Sequence, residues 1–397
     1  MFAKTSVSLT TTVVVLLCST AAFAADANAF GERLKAVAAE QNMTLTYDSA
    51  AATGDDVVLA GLTIAPKGEK PSKVGDITFQ GVTGSTADGW MVEKIPIADV
   101  DVTEGENHTV ASGMSIEGFE LLPDDASKLS PVKQLSKFYF QKASLDHLKI
   151  EKQGDQVFDL SGVSIENTLN DDQTVSSDFN LGTFNADFSK ADPKTITAMN
   201  DLGYTQMSGS IEGSASWDPK SGTMTLDPFD INVKNAGNLS FTYEMTGYTP
   251  AFIQSMQQIS KQMREHPEGK QNAGMAMMGL MSQLSLGSAD ITFTDDSLTD
   301  KLLDYFAKKQ NKTREQLISQ IEMTVPAALA QLQNPDFQKK VADAVSTYLK
   351  QPQSLSVSVD PKTPVPAMQI VGAAMGAPQT LPQVLSLDVT ANDSTNE

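Results

Sequence analysis

Between Gly237 and Gly247 the chain reads GNLSFTYEMTG, with an apolar residue at every second position. In a strand, Leu239, Phe241, Tyr243 and Met245 point one way, and Ser240, Thr242, Glu244 and Thr246 the other. Such alternation gives one apolar and one wetted face, the mark of antiparallel sheets rather than of parallel sheets buried on both sides. The same beat returns in ADITFT, where Ile291 and Phe293 share a side, in SLSVSVD from Ser354, and in LSLDVTAN from Leu385. DPKSG separates SASW from TMTLD as a hairpin turn, with Pro219 presetting φ and Gly222 free to take a positive φ.

From Met43 to about Ser189 the text breaks into short strand-like segments, several with a glycine just before the beat. AGLTIAP at Ala60, SGMSIEG at Ser112 and SGVSIEN at Ser161 are the clearest, and GDITFQG and SGSIEGSASW are looser variants. They read as a degenerate strand-turn repeat of stacked hairpins. A short helix precedes them, with Phe30, Leu34, Val37 and Ala38 at helical spacing.

Helices are concentrated in residues 249–352. Asp192-Pro193, Thr249-Pro250 and Asn334-Pro335 are cap-plus-proline starts, and Ser297 with Asp300 and Thr313 with Gln316 are capping-box pairs. Leu298, Leu302, Tyr305 and Phe306 form one apolar stripe; Phe337, Val341, Val345 and Leu349 form another. Each stripe must be buried, and the apolar side of the sheet is the available place. The expected fold is α+β: a long curled antiparallel sheet built of hairpins, with amphipathic helices packed on its apolar face mainly from the C-terminal third. Residues 25–248 form a β-rich region, 249–352 a helical segment with an intervening strand, and 353–397 the last strands and a polar tail.

The first 24 residues have the three parts of a secretion signal: Lys4, an apolar run from Val13 to Leu17, and Ala22-Phe23-Ala24 as a cleavage site. The run is too short to cross about 30 Å of hydrocarbon, so no transmembrane anchor is expected after cleavage. Cys18 is the only cysteine. A lipoprotein signal acylated there is disfavoured by the bulk of Leu17. A long exported chain without disulfides points to a bacterial periplasm. The net charge of −20 repels phosphate backbones, so nucleic acid is not an expected partner.

Chemistry-bearing motifs are sparse. His108, His147 and His266 have no ligand-spaced companion and read as surface or structural residues. DVDVTEGE, from Asp99, lacks the ligand spacing of a calcium loop and reads better as a strand. With Trp90 and Trp217 as the only tryptophans, stacking on sugar rings is poorly provided for. No catalytic, metal or cofactor residue is assigned. Met275, Met277, Met278 and Met281 give M-x-M and M-x-x-M spacings that suit Cu(I). Met256, Met263, Met278 and Met281 also fall at helical core spacings, so core packing or adaptable lipid-facing packing suits the methionines better.

The short first helix, the one-sided strands, the WDPKSGTMTLDPFDINV hairpin running into GNLSFTYEMTG, and the late helices together resemble the AsmA-like group of bacterial envelope proteins and related periplasmic β-rich proteins. The resemblance extends over most of the chain as a pattern. It implies a long curled sheet whose apolar inner face could shelter an acyl chain. No functional residue is carried over, and the chain departs from the group in lacking a retained anchor. The expected function is a non-enzymatic periplasmic protein that binds or shields a lipid or other apolar ligand on its sheet. Leu239, Phe241, Tyr243, Met245, Ile291 and Phe293 are the ligand-facing candidates. The alternative is a structural or protein-interaction module of the envelope, and a third reading is a hydrolase with its site scattered over strands.

Overall fold

A computed structural model describes residues 25–125, 127, 129–265 and 270–393, with the side chains of 265 and 270–273 excepted. The segment read as a signal, with Cys18, lies outside the described residues, as do His266 and the last four residues of the tail. The fold is α+β, dominated by a long antiparallel sheet that does not close on itself.

Asp26 opens helix α1 (Ala27–Glu40) by accepting the Ala29 amide at 3.0 Å. Phe30 and Val37 are buried, and Leu34 and Ala38 pack beside them, as their spacing requires. The helix sits on a four-stranded sheet of β1 (Met43–Thr46), β2 (Ser49–Thr53), β3 (Asp56–Pro66) and β4 (Ser72–Phe79). The Phe30 ring meets Phe79 edge-on at 4.9 Å and Trp90 at 5.7 Å. Arg33, itself buried, donates to the Leu122 carbonyl at 2.9 Å and pairs with Asp124, tying α1 to the first strands of the large sheet.

That sheet begins with β5 (Thr83–Ser85), β6 (Gly89–Ile97), β7 (Val100–Glu104), β8 (Asn107–Ser112), β9 (Met114–Leu121) and β10 (Phe138–Tyr139). It continues through β11 (Lys142–Lys152), β12 (Asp155–Leu169) and β13 (Val175–Asp187). Helix α2 (Pro193–Leu202) leads to β14 (Gln206–Asp218), β15 (Thr223–Val233) and β16 (Gly237–Thr246). After α3 (Pro250–Glu265) and α4 (Lys270–Met281) comes β17 (Ser285–Asp295). Helices α5 (Leu298–Lys309), α6 (Arg314–Ala328) and α7 (Pro335–Lys350) precede β18 (Ser354–Val359) and β19 (Val365–Pro366). The chain finishes with α8 (Ala367–Gly376), α9 (Leu381–Val384) and β20 (Leu387–Ala391). From β11 to β18 each strand pairs with the next strand of the chain.

Most punctuation falls where the sequence places it. Asp192, Thr313 and Asn334 cap α2, α6 and α7, and Thr313 with Gln316 forms the full capping box. Three local expectations are corrected. Ser297 has a positive φ and makes no side-chain cap; Asp295 accepts the Ser297 and Thr299 amides instead, at 2.8 Å each. Along α5 the buried residues are Leu303 and Ala307, whereas Phe306 is 44 % exposed, because the helix packs on α6 through Leu317 rather than flat on the sheet.

The glycine repeats, thirdly, are not turns. Gly61 lies inside β3 and Gly162 inside β12, while Gly113 joins β8 to β9, all with φ between 62° and 75°. At Gly61 the register of β3 against β4 shifts, a bulge in which one strand takes an extra residue, whereas Gly113 and Gly162 are left-handed kinks across which the pairing keeps its register. A Cβ at Gly61 or Gly113 would run into the side chain of Asp48 or Asp146 respectively, so a substitution there must displace that aspartate as well as take a positive φ.

The helices gather at the two ends of the strands. α2 and the α5–α7 group attach at the end marked by Gly237 and Asp295, and α3, α4 and α8 at the end marked by Trp217, Met245 and Ser285. α7 runs beside β18 and the edge strand β20, with Lys340 reaching Asp388 and the Asn334 amide reaching the Gln379 carbonyl. Thus one edge of the sheet is flanked by a helix, and the other, β5, has three residues. Among the described residues no helix is long and apolar enough to cross a membrane.

Candidate functional site

Directly opposed residues of an antiparallel pair lie on the same face, so the register shows which side chains share a surface. Ile95, Ile116, Ala143, Ile165 and Phe179 follow one another across β6, β9, β11, β12 and β13. Across β14 to β20 the same row continues as Gly213, Phe229, Phe241, Ile291, Val357 and Val389. A parallel row carries Ile211, Ile231, Leu239, Phe293 and Leu355. All six residues singled out from the alternation therefore lie on one face of adjacent strands. Leu239 opposes Phe293, and Phe241 opposes Ile291; Tyr243 and Met245 extend that line toward α3.

The first part of this face is covered. Trp90, Val92, Ile95, Phe119 and Leu121 join Phe30, Val57 and Phe79 in one buried cluster beneath α1 and the small sheet. At the C-terminal edge Val389 is buried, beside α7 and α9. Between these caps no apolar residue of the two rows on β11 to β18 is fully buried. Leu239 is 38 %, Ile291 47 % and Val357 39 % exposed, and they stand side by side on β16, β17 and β18. Met245 alone of the six touches a helical cluster, that of Phe252, Leu280 and Leu284. Burial raises the pKa of the Tyr243 phenol, as expected beside apolar neighbours.

The floor of this surface is smooth for a reason. Gly213 lies under the Phe179 ring and Gly209 under that of Phe184, so a Cβ would stand 2.7 and 2.9 Å from those rings. The glycines let aromatic side chains lie flat against neighbouring backbone. The looser SGSIEGSASW repeat supplies both.

The opposite face is polar and largely self-paired. A cleft of about 500 Å³ there is lined by Glu117, Glu120, Lys133, Lys142 and Glu166, and Lys142–Glu166 at 2.6 Å, Lys133–Glu120 at 2.6 Å and Lys94–Glu117 at 2.9 Å neutralise its charges. Among the described residues no group of three or more His, Cys, Asp or Glu converges as a metal site. His108 lies between Glu151 at 2.9 Å and Asp101 at 2.8 Å, which raises its pKa, chiefly through the Glu151 hydrogen bond. His147 faces Asp159 at 3.0 Å. Trp90 is buried in the core and Trp217 donates to the Tyr248 carbonyl at 2.7 Å. The Asp99 stretch lies largely in β7, whose residues are all exposed.

The methionines divide. Met256 and Met277 pack in the α3–α4 cluster. Met263, Met275, Met278 and Met281 turn outward, which corrects the core spacing read for Met263, Met278 and Met281 and leaves their lipid-facing alternative.

A protein family described as "Uncharacterized protein" matches residues 230–392, a span that contains all six face residues. No curated protein matches the chain.

Proposed function

We propose that the protein is non-enzymatic and holds or shields a lipid or another apolar ligand on this face, in the periplasm of a bacterium. The observation that carries the reading is the exposed trio Leu239, Ile291 and Val357 on adjacent strands, set in an apolar face that the described residues cover only at its margins. Monomers seldom leave so much contiguous apolar surface open unless something occupies it. Eight strands from β11 to β18 span roughly 34 Å at ~4.8 Å per step, about the reach of a lipid molecule. A chain of about fifteen methylenes transfers with roughly 12 kcal/mol before the losses of association, so no polar recognition site is required. The resemblance to AsmA-like proteins points the same way.

Mass spectrometry of the protein purified from its native compartment without detergent tests this. Copurifying lipid is expected, and a ligand-free spectrum would favour a protein-interaction module instead. The Ile291→Asp substitution, at a position 47 % exposed, should reduce bound lipid about tenfold by placing an unpaired carboxylate under the acyl chain. Its thermal midpoint should stay within a few degrees of the parent's.

A further inference from the structure

Six exposed large apolar side chains belong to the three helices at one end of the strands. Met275 (63 %), Met278 (60 %) and Met281 lie on α4 at helical spacing, Val371 and Met375 (84 %) one turn apart on α8, and Met263 on α3. These helices are held together from inside. Phe252, Leu280 and Leu284 are buried among Met256, Met277 and Ala367, and Met245 of the sheet packs against the same cluster.

The sequence here is unusual for this chain. One residue in five is charged overall, yet none is charged from Gln271 to Ala289 or from Thr363 to Leu387. The Ala367 amide donates to the Leu284 carbonyl at 2.9 Å, bringing the two charge-free stretches together. A molecule of net charge −20 thus exposes thioethers and the branched Val371 rather than carboxylates along α4 and α8, with the charged Lys261 and Arg264 confined to α3 beside them. An apolar phase excludes charges, which are costly to desolvate, and admits methionine, whose flexible thioether adapts to a disordered partner. Protein interfaces are enriched in methionine too, but alongside aromatic residues and arginine; α4 and α8 contain no aromatic residue and no arginine. The end is also continuous with the open face, because Met245 beneath these helices opposes Met224, and Met224 opposes Trp217, at the rim of the same apolar rows.

We propose that α4 and α8 form a tip that seats in the surface of a lipid bilayer through Met275, Met278, Val371 and Met375, bringing the rim of the open sheet face against the acyl layer. Contact is apolar, and the net negative charge makes anionic lipid unhelpful. The purpose assigned to the tip rests on the lipid-binding reading; the contact itself does not.

Flotation of the exported chain with neutral phosphatidylcholine vesicles tests the tip. The protein should float with the vesicles, and should still float in about 1 M salt, where the Debye length is about 3 Å. Adding anionic phosphatidylglycerol should not increase the floating fraction. Combining Met275→Asp, Met278→Asp and Met375→Asp should lower partitioning at least about tenfold. Met323→Asp, at a position 73 % exposed on α6 outside the cluster, should leave it unchanged. Parent and variants are all purified after export, with the segment read as a signal removed, so that it contributes to none of them, and circular dichroism checks that each folds. Failure of the parent to float, equal flotation of the triple variant, or loss of flotation in salt would each overturn the proposal. So would a dimer, seen by sedimentation, that the triple substitution dissociates while no vesicle binding occurs, since a second copy would then cover the tip. A triple variant that keeps its copurifying lipid but no longer floats supports the tip. Methionine-dependent flotation of a protein without copurifying lipid leaves the tip standing and removes the groove.

Discussion

His108 shows how register gives a residue partners that its own neighbourhood in the chain does not reveal. Nothing within four residues of it explains its setting, yet β8 pairs with β11 so that Glu151 lies directly opposite, and Asp101 approaches from β7. Sequence reasoning finds no ligand-spaced companion for it and misses both carboxylates, because which strands become neighbours is not encoded in local spacing. The folded-state pKa lies above the ordinary 6.5, so its contribution to stability is present in full below that value. It is lost as pH rises through the raised folded-state pKa. The imidazole resonances of the folded protein should titrate above 6.5, and His108→Gln should flatten the pH dependence of the unfolding midpoint over that interval. A titration at or below the ordinary value would contradict the geometry.

At the scale of elements, alternation and capping residues located many of the strands and helices, because both are short-range signals, while α8 and α9, which begin without a capping side chain, were not read. The glycines were legible as special and illegible in role. A turn and a kink or bulge within a strand need the same left-handed backbone, and they differ in whether the chain reverses, which depends on the partner strand. Gly105, with φ 63° in the β7–β8 turn, has open space where a Cβ would go, whereas Gly113, with φ 67°, has the Asp146 carboxylate there. Gly105→Ala should therefore destabilise by about 1 kcal/mol from backbone strain alone, and Gly113→Ala by about 2–3 kcal/mol. Denaturant unfolding measures both; equal losses would mean that Asp146 swings away without penalty. The α5 stripe shifted by one position for a related reason. A helix with apolar residues at 302, 303, 305, 306 and 307 offers two candidate faces, and the packing of α6 against it selects Leu303 and Ala307.

For the molecule as a whole, the one-sided sheet was legible because the strands that meet in one row were mostly readable alone, β6, β11 and β13 excepted. The extent of its covering was not, since Met245 meets a helix and Ile291 does not although both obey the same pattern. That difference decides the function proposed here, and the copurified-lipid and flotation experiments examine its two parts separately. The pairing of every strand from β11 to β18 with its successor has a consequence for how such a surface comes into being. A ribbon emerging where the chain folds finds its template already waiting in the ribbon before it, so the platform can widen strand by strand and need not wait for the far terminus. Its breadth is then a counted quantity. Inserting or deleting one hairpin between β12 and β16 would change that breadth by roughly 10 Å while leaving the structures at either margin as they are.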